Sequence, residues 1–231
     1  MRAGRVQSLR LALGRRDARS NELEAMAREH DIPVQRVAAE ELDRLDLGAH
    51  QGVVAEVTGG RGPGDEADLE TLLDELLGRG EAPLLLVLEG VTDPRNLGAC
   101  LRSVDAAGAH AVVVPRSRTA PLTAAARKTA SGAAETVPLI GVANLARTLA
   151  WLTQRGLQLV GLAGEGDRAP WELDLTGGCA LILGAEGEGL RRLTRERCDT
   201  LVALPMAGSV ESLNVSVAAG IALFEVVRQR S

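Results

Sequence analysis

The stretch Leu84-Leu-Leu-Val-Leu-Glu-Gly-Val-Thr-Asp-Pro-Arg-Asn-Leu-Gly-Ala-Cys-Leu-Arg102 decides how the rest of the chain reads. Its first five residues are apolar without alternation, so a strand formed there is buried on both faces, and the turn residues after it lead into a helical stretch. The same order recurs downstream. Apolar runs stand at residues 111–114, 137–140, 157–160, 180–183 and 201–204, with helical stretches between them. Six buried strands with helices covering both faces predict an α/β domain built on a parallel, six-stranded Rossmann-like sheet. In such sheets a nucleotide-type ligand sits beyond the C-terminal ends of the strands.

Upstream, Thr58-Gly-Gly-Arg-Gly-Pro-Gly-Asp65 holds four glycines and a proline in eight residues. That is linker chemistry, because glycine multiplies the accessible conformers and proline blocks strand pairing. The predicted organisation is a small domain over residues 1–57, a linker over 58–67 and a larger domain over 68–231. In the small domain, strands are expected at 6–13, 34–38 and 52–57 and helices at 21–30 and 40–45, which is a compact α/β unit. A helix at about 68–77 opens the larger domain.

Composition removes several classes. The 231 residues carry a net charge of −5, and the acidity is concentrated: residues 1–57 hold 9 basic and 10 acidic side chains, residues 58–79 hold 2 and 6, and residues 80–231 hold 15 and 15. The large domain is therefore neutral, with a local run of Arg116, Arg118, Arg127 and Lys128 and no acid between residues 114 and 134. Such a run is a candidate RNA-phosphate patch, whereas most charge runs are simply solvated. A second cluster, Arg191, Arg192, Arg195 and Arg197, is partly offset by Glu188, Glu196 and Asp199. Trp151, Trp171 and Phe224 are too few for a base-stacking platform. Three cysteines fit neither a disulfide framework nor paired zinc spacing, and His30, His50 and His110 are scattered, so no metal is expected. No apolar run approaches the roughly 20 residues of a membrane span, and the cytoplasm is the expected location.

The common phosphate loops fail. A Walker loop needs Gly-Lys-Ser/Thr, and the one lysine lies in Arg127-Lys128-Thr129 without glycines. The dinucleotide fingerprint is missing after the first strand, which removes the reading as a Rossmann oxidoreductase. The nearest glycine cluster is Gly184-Ala-Glu-Gly-Glu-Gly189, after the fifth strand and before a helix expected at 190–197.

Three blocks at strand-to-helix junctions are more specific: Asn96-Leu-Gly-Ala-Cys-Leu-Arg102, Leu183-Gly-Ala-Glu-Gly-Glu-Gly189 and Leu204-Pro-Met-Ala-Gly-Ser-Val-Glu-Ser-Leu-Asn-Val-Ser216. In this order they resemble the three motifs of the SPOUT-class, TrmH-like RNA ribose 2′-O-methyltransferases, over essentially all of residues 80–231. Residues 88–96, Gly132-Ala-Ala-Glu135 and the terminal Phe224-Glu-Val-Val-Arg-Gln-Arg-Ser231 look like the branch that methylates a guanosine ribose in 23S ribosomal RNA. Residues 1–57, with His50-Gln-Gly-Val53, look like that branch's small substrate-binding domain of ribosomal-protein L30e type. Members of the branch carry a further segment, roughly a strand and a helix, before the position where this chain starts. Either the start was assigned late or the small domain is trimmed.

The resemblance implies S-adenosylmethionine as methyl donor, 23S ribosomal RNA as substrate, a homodimer with the donor site near its interface, and a C-terminal trefoil knot. It also implies roles. The residue matching Arg102 activates the 2′-hydroxyl with Asn96 as its positioning partner, and Glu186, Ser212 and Asn214 belong to the same catalytic site. Gly184, Leu204, Met206 and Leu213 contact the donor. Chemistry restricts the arginine's part: a neutral guanidine is nearly absent at pH 7, so Arg102 is expected to bind the ribose oxygen and stabilise the developing alkoxide. The alternatives are structural. Arg102 can pair with Asp105 at i+3, Ser212 and Asn214 are N-cap types for a helix expected at 213–230, and the apolar donor-site residues can also serve the core. Asn96 and Arg102 are six apart and share a helix face only loosely, so the loop before Asn96 is expected to bring them together. A transferase acting on tRNA or another rRNA nucleotide, or a non-catalytic RNA-binding relative, are the alternative functions.

Overall fold

The computed structural model describes residues 6–15, 17–45, 50–57, 63–185 and 187–231. The chain divides into two compact units, Met1–Arg61 and Gly62–Ser231.

In the first unit, β1 (Val6–Ala12) is the middle strand of three, parallel to β2 (Val34–Val37) and antiparallel to β3 (Val53–Val57). Helix α1 (Ala18–Glu29) begins three residues before the expected position because Asp17 caps it, accepting from the Ser20 amide at 2.7 Å. Leu9, Leu11 and Ala27 form the core, backed by Leu23, Ile32, Val34 and Val53. The short α2 (Ala39–Asp43) contributes the buried Leu42.

The second unit opens with α3 (Glu66–Gly78), whose start is set by a capping box between Asp65 and Asp68. Just before it, Gly64 pairs with the edge of the sheet through Leu139 and Gly141. Six parallel strands follow: β4 (Leu84–Leu88), β5 (Ala111–Pro115), β6 (Leu139–Val142), β7 (Gln158–Leu162), β8 (Cys179–Leu183) and β9 (Thr200–Val202), in the spatial order β6-β5-β4-β8-β7-β9. The expected third strand moves two residues on because the amide of Val137 closes the preceding helical turn on Ala133 and Pro138 has no amide to give.

Both faces of the sheet are covered. One packs under α4 (Pro94–Ala106) and α9 (Val215–Arg230) through Leu97, Leu101, Val104, Ala219, Leu223 and Val226. The other packs under α3 and α7 (Leu145–Gln154) through Leu69, Leu73, Leu76, Leu149 and Leu152. Two short helices, α5 (Ala124–Ala130) and α6 (Ala133–Thr136), lie beside α4. Gly98 is what lets α5 approach: a Cβ there would stand 2.3 Å from the Ala126 carbonyl oxygen. Cys100 and Cys179 are buried and Cys198 half-buried, all free; burial pushes their thiols up to about 12, 11 and 12.

Candidate active site

The C-terminal ends of β4, β8 and β9 carry the three blocks. After β4, Asp93 caps α4 by accepting from the Arg95 amide at 2.8 Å, and Pro94 takes the first helical position, where its missing N–H costs nothing. Asn96 therefore lies inside the helix. This corrects the expectation that a loop before Asn96 brings it to Arg102: on one helix the two are about 120° apart, by 100° per residue. Asn96 turns instead to the third block, where its Oδ1 accepts from Asn214 Nδ2 at 3.0 Å. Arg102 is exposed and makes no ion pair or hydrogen bond to another described residue. The pairing with Asp105 is not formed; Asp105 accepts instead from the Thr136 hydroxyl at 2.7 Å.

After β8 the chain folds tightly on itself. Ala185 and Gly189 form an antiparallel bridge, and a Cβ on Gly184 would stand 2.1 Å from the Gly189 carbonyl carbon and oxygen. Gly187 and Gly189 hold φ of 81° and 65°, where side chains are strained. Glu186 lies outside the described residues. The helix expected at 190–197 shrinks to α8 (Arg192–Arg195), since Leu190 is buried in the core and the Arg191 amide is diverted.

What diverts it is Glu89, a carboxylate only 7% exposed that the sequence reading did not single out. One oxygen accepts from the Arg191 amide at 2.9 Å and the other from the buried Thr194 hydroxyl at 2.8 Å. The turn leading to Asn96 is thereby tied to the loop after β8. The only available signal was a charged residue immediately after an all-apolar strand.

The third block runs without regular structure from β9 to α9. Leu204, Met206 and Leu213 are half-buried, and their main-chain amides and carbonyls make no hydrogen bond to other described residues. Apolar side chains beside unspent backbone donors and acceptors fit a purine ring with polar edges, which is the adenine end of an adenosine ligand. Ser212 is exposed. Asn214 is the cap of α9, its Oδ1 accepting from the Ser216 amide at 2.9 Å, so capping and contact with Asn96 come from one side chain.

The four cations expected as an RNA patch are not equivalent. Arg116 pairs with Glu66 at 2.7 Å and donates to the Gly141 carbonyl; Arg127 pairs with Glu135. The Ala143 amide, donating at 2.6 Å, and Arg116 beside it hold the Glu66 carboxyl below its usual range. Arg118 and Lys128 are exposed and have no carboxylate partner among the described residues. Among those residues no group of three or more His, Cys, Asp or Glu could hold a metal ion, and no helix is long and apolar enough to cross a membrane.

Comparison with known proteins assigns both units. The SpoU rRNA Methylase family matches residues 83–224, and the domain described as RNA 2′-O ribose methyltransferase substrate binding matches residues 2–61. The chain is 57% identical over 228 residues to the 23S rRNA (guanosine-2′-O-)-methyltransferase RlmB of Pseudomonas syringae pv. tomato, covering 98% of this chain and 89% of the relative. Against RlmB of Escherichia coli K12 the identity is 53%, over 98% and 92%. Among solved structures, the SpoU methyltransferase AviRb from Streptomyces viridochromogenes superposes with a TM-score of 0.79 at 28% identity, covering 99% of this chain and 84% of that one. Its complex with the cofactor AdoMet superposes with 0.78, covering 97% and 83%.

Proposed function

The chain belongs to the SpoU rRNA methylase family, and from that premise we propose that it transfers a methyl group from S-adenosylmethionine to the ribose 2′-hydroxyl of a guanosine in 23S ribosomal RNA. The observation that carries this reading is the bond between Asn96 and Asn214, which joins the first and third blocks at the end of the sheet that also carries the glycine loop of the second. The donor supplies an electrophilic methyl on sulfur. The ribose oxygen forms the new C–O bond as the S–CH3 bond breaks, leaving the demethylated thioether and a released proton.

The protein's part is placement and charge. Arg102, with its fork of donors unspent, receives the ribose oxygen and stabilises the negative charge developing on it. Asn96 and Asn214 fix each other's amide orientation so that the hydroxyl arrives in line. Ser212 and Glu186 complete the catalytic set, and Gly184, Leu204, Met206 and Leu213 hold the donor through backbone and apolar contacts. A trefoil threading of the C-terminal segment belongs to the same proposal. It is supported by the tight passage of two chain segments at Gly166, where a Cβ would stand 2.4 Å from the Val202 backbone, and by the Ala203 amide donating to the Arg168 carbonyl at 2.8 Å.

The chain is proposed to work in the cytoplasm as a homodimer. Val217, Ile221 and Phe224 on α9 are 48%, 39% and 50% exposed at spacings of four and three, a continuous apolar stripe of the kind a second copy covers. Residues 1–57 are assigned to selecting and holding RNA and 68–231 to donor binding and chemistry; of the expected linker 58–67, Gly64 and the start of α3 at Glu66 go with the second unit, and Arg116, Arg118, Arg127 and Lys128 are the RNA-phosphate patch, Arg118 and Lys128 foremost. Incubation with methyl-labelled S-adenosylmethionine and an unmodified 23S rRNA transcript, followed by digestion to nucleosides, tests the reading: label in 2′-O-methylguanosine supports it, and label on a base refutes it.

A further inference from the structure

Beside the glycine loop, a cleft of about 480 Å³ opens at the C-terminal ends of β4, β5 and β6. Its walls are Gly90 after β4, Ser117 and Arg118 after β5, Asn144 at the start of α7, and Arg191 and Arg192 at the start of α8. None of the blocks that define the methyl-transfer site includes these side chains.

Two features of the cleft suit an anion, and a third fixes the loop that carries one of its arginines. Arg118 and Arg191 are exposed and have no carboxylate partner among the described residues, and Arg192 is engaged only with the exposed Glu196 at 2.7 Å, a contact that solvent weakens. The first turn of α7 faces the cleft: Asn144 caps the Arg147 amide, which leaves the amides of Leu145 and Ala146 without intrahelical acceptors at the positive end of the helix. Third, Arg118 is held with φ of +64°, uncommon for a side-chain-bearing residue, in a turn closed by the Thr119 hydroxyl donating to the Pro115 carbonyl at 2.6 Å. The one carboxylate in the wall, Glu89, has its oxygens committed to the Arg191 main-chain amide and the Thr194 hydroxyl, so it builds the wall and leaves the Arg191 guanidinium unpaired.

We propose that this cleft takes a phosphodiester group of the RNA strand next to the methylated nucleotide. The inference rests on the function proposed above and names a second contact for the same substrate. The cleft and the methyl-transfer site share a wall, because the Cβ position of Gly90 lies 3.2 Å from the Ala185 side chain. No aromatic residue lines it, so bases are not held by stacking, and arginine forks suit phosphate oxygens.

The test uses the full chain with Arg118→Ala and Arg191→Ala combined, measuring affinity for an unmodified 23S rRNA transcript across a salt series. Loss of the one phosphate contact raises Kd about tenfold at low salt and flattens the slope of log affinity against log salt by about 0.7 to 0.9. Affinity for S-adenosylmethionine stays at the wild-type value. The Arg118→Lys, Arg191→Lys pair keeps the wild-type slope. A double alanine variant with wild-type Kd and slope overturns the cleft while wild-type methylation leaves the proposed function standing. A slope lost equally in the lysine pair also overturns it, since the arginines then shape the wall and do not neutralise phosphate. A wild-type chain that does not methylate the transcript overturns the function and the cleft with it.

Discussion

Asn214 Nδ2 donates to Asn96 Oδ1 at 3.0 Å, linking two side chains 118 positions apart in the chain. The same Asn214 caps α9 through its Oδ1, with the Ser216 amide at 2.9 Å and the Ser216 hydroxyl at 2.6 Å. One amide therefore starts the final helix with its oxygen and orients the first block with its nitrogen. A substitution that keeps the cap separates the two tasks. Asn214→Ser, another preferred cap, is expected to hold the melting temperature within about 2 °C while kcat/KM for methyl transfer falls at least about tenfold. Asn214→Ala adds a loss of about 1 kcal/mol of stability, read from denaturant unfolding.

Arg102→Ala is expected to reduce methyl transfer by about 100-fold or more. Because Arg102 is exposed and makes no ion pair or hydrogen bond to another described residue, thermal unfolding and calorimetric donor affinity stay at wild-type values. Arg102→Lys remains poor, since a point charge does not reproduce the planar fork. An alanine variant with full activity removes the electrostatic role.

Glu89→Ala strips two hydrogen bonds from a buried carboxylate and leaves the Thr194 hydroxyl and the Arg191 amide unpaired. The expected cost is about 2–4 kcal/mol in urea unfolding, with weaker donor binding because the glycine loop loses its anchor to β4. Unchanged stability would mean the carboxylate is not holding that loop.

Gly184→Ala places a methyl where the Gly189 backbone stands at 2.1 Å. The loop has to open to accept it, so S-adenosylmethionine affinity measured by calorimetry is expected to fall at least about tenfold, a change of roughly 1.4 kcal/mol.

The sheet was legible because a strand buried on both faces needs no alternation: the runs at residues 84–88 and 180–183 read directly as β4 and β8. Less visible was anything that depends on partners distant in sequence. Glu89 finds Thr194 105 positions away, and its place after an apolar strand does not by itself separate it from a solvated turn residue. The patch of Arg116, Arg118, Arg127 and Lys128 looked uniform along the chain. In the fold, Ser131 and Gly132 at φ of 51° and 98° turn α6 back so that Glu135 meets Arg127, and Glu66 reaches Arg116 from α3. The placement of Asn96 was misread because Asp93 and Pro94 start α4 earlier than a loop reading allowed. The three blocks were recognisable as a set, but the bond between Asn96 and Asn214 exists only once β4 and β9 deliver them to the same end of the sheet.

Ribose methylation in 23S rRNA can be mapped by mass spectrometry in cells lacking this protein and in the same cells supplied with the wild-type chain or with Arg102→Ala. One 2′-O-methylguanosine is expected to be absent without the protein, restored by the wild type and not restored by Arg102→Ala. An unchanged 23S methylation map, or restoration by Arg102→Ala, would contradict that expectation.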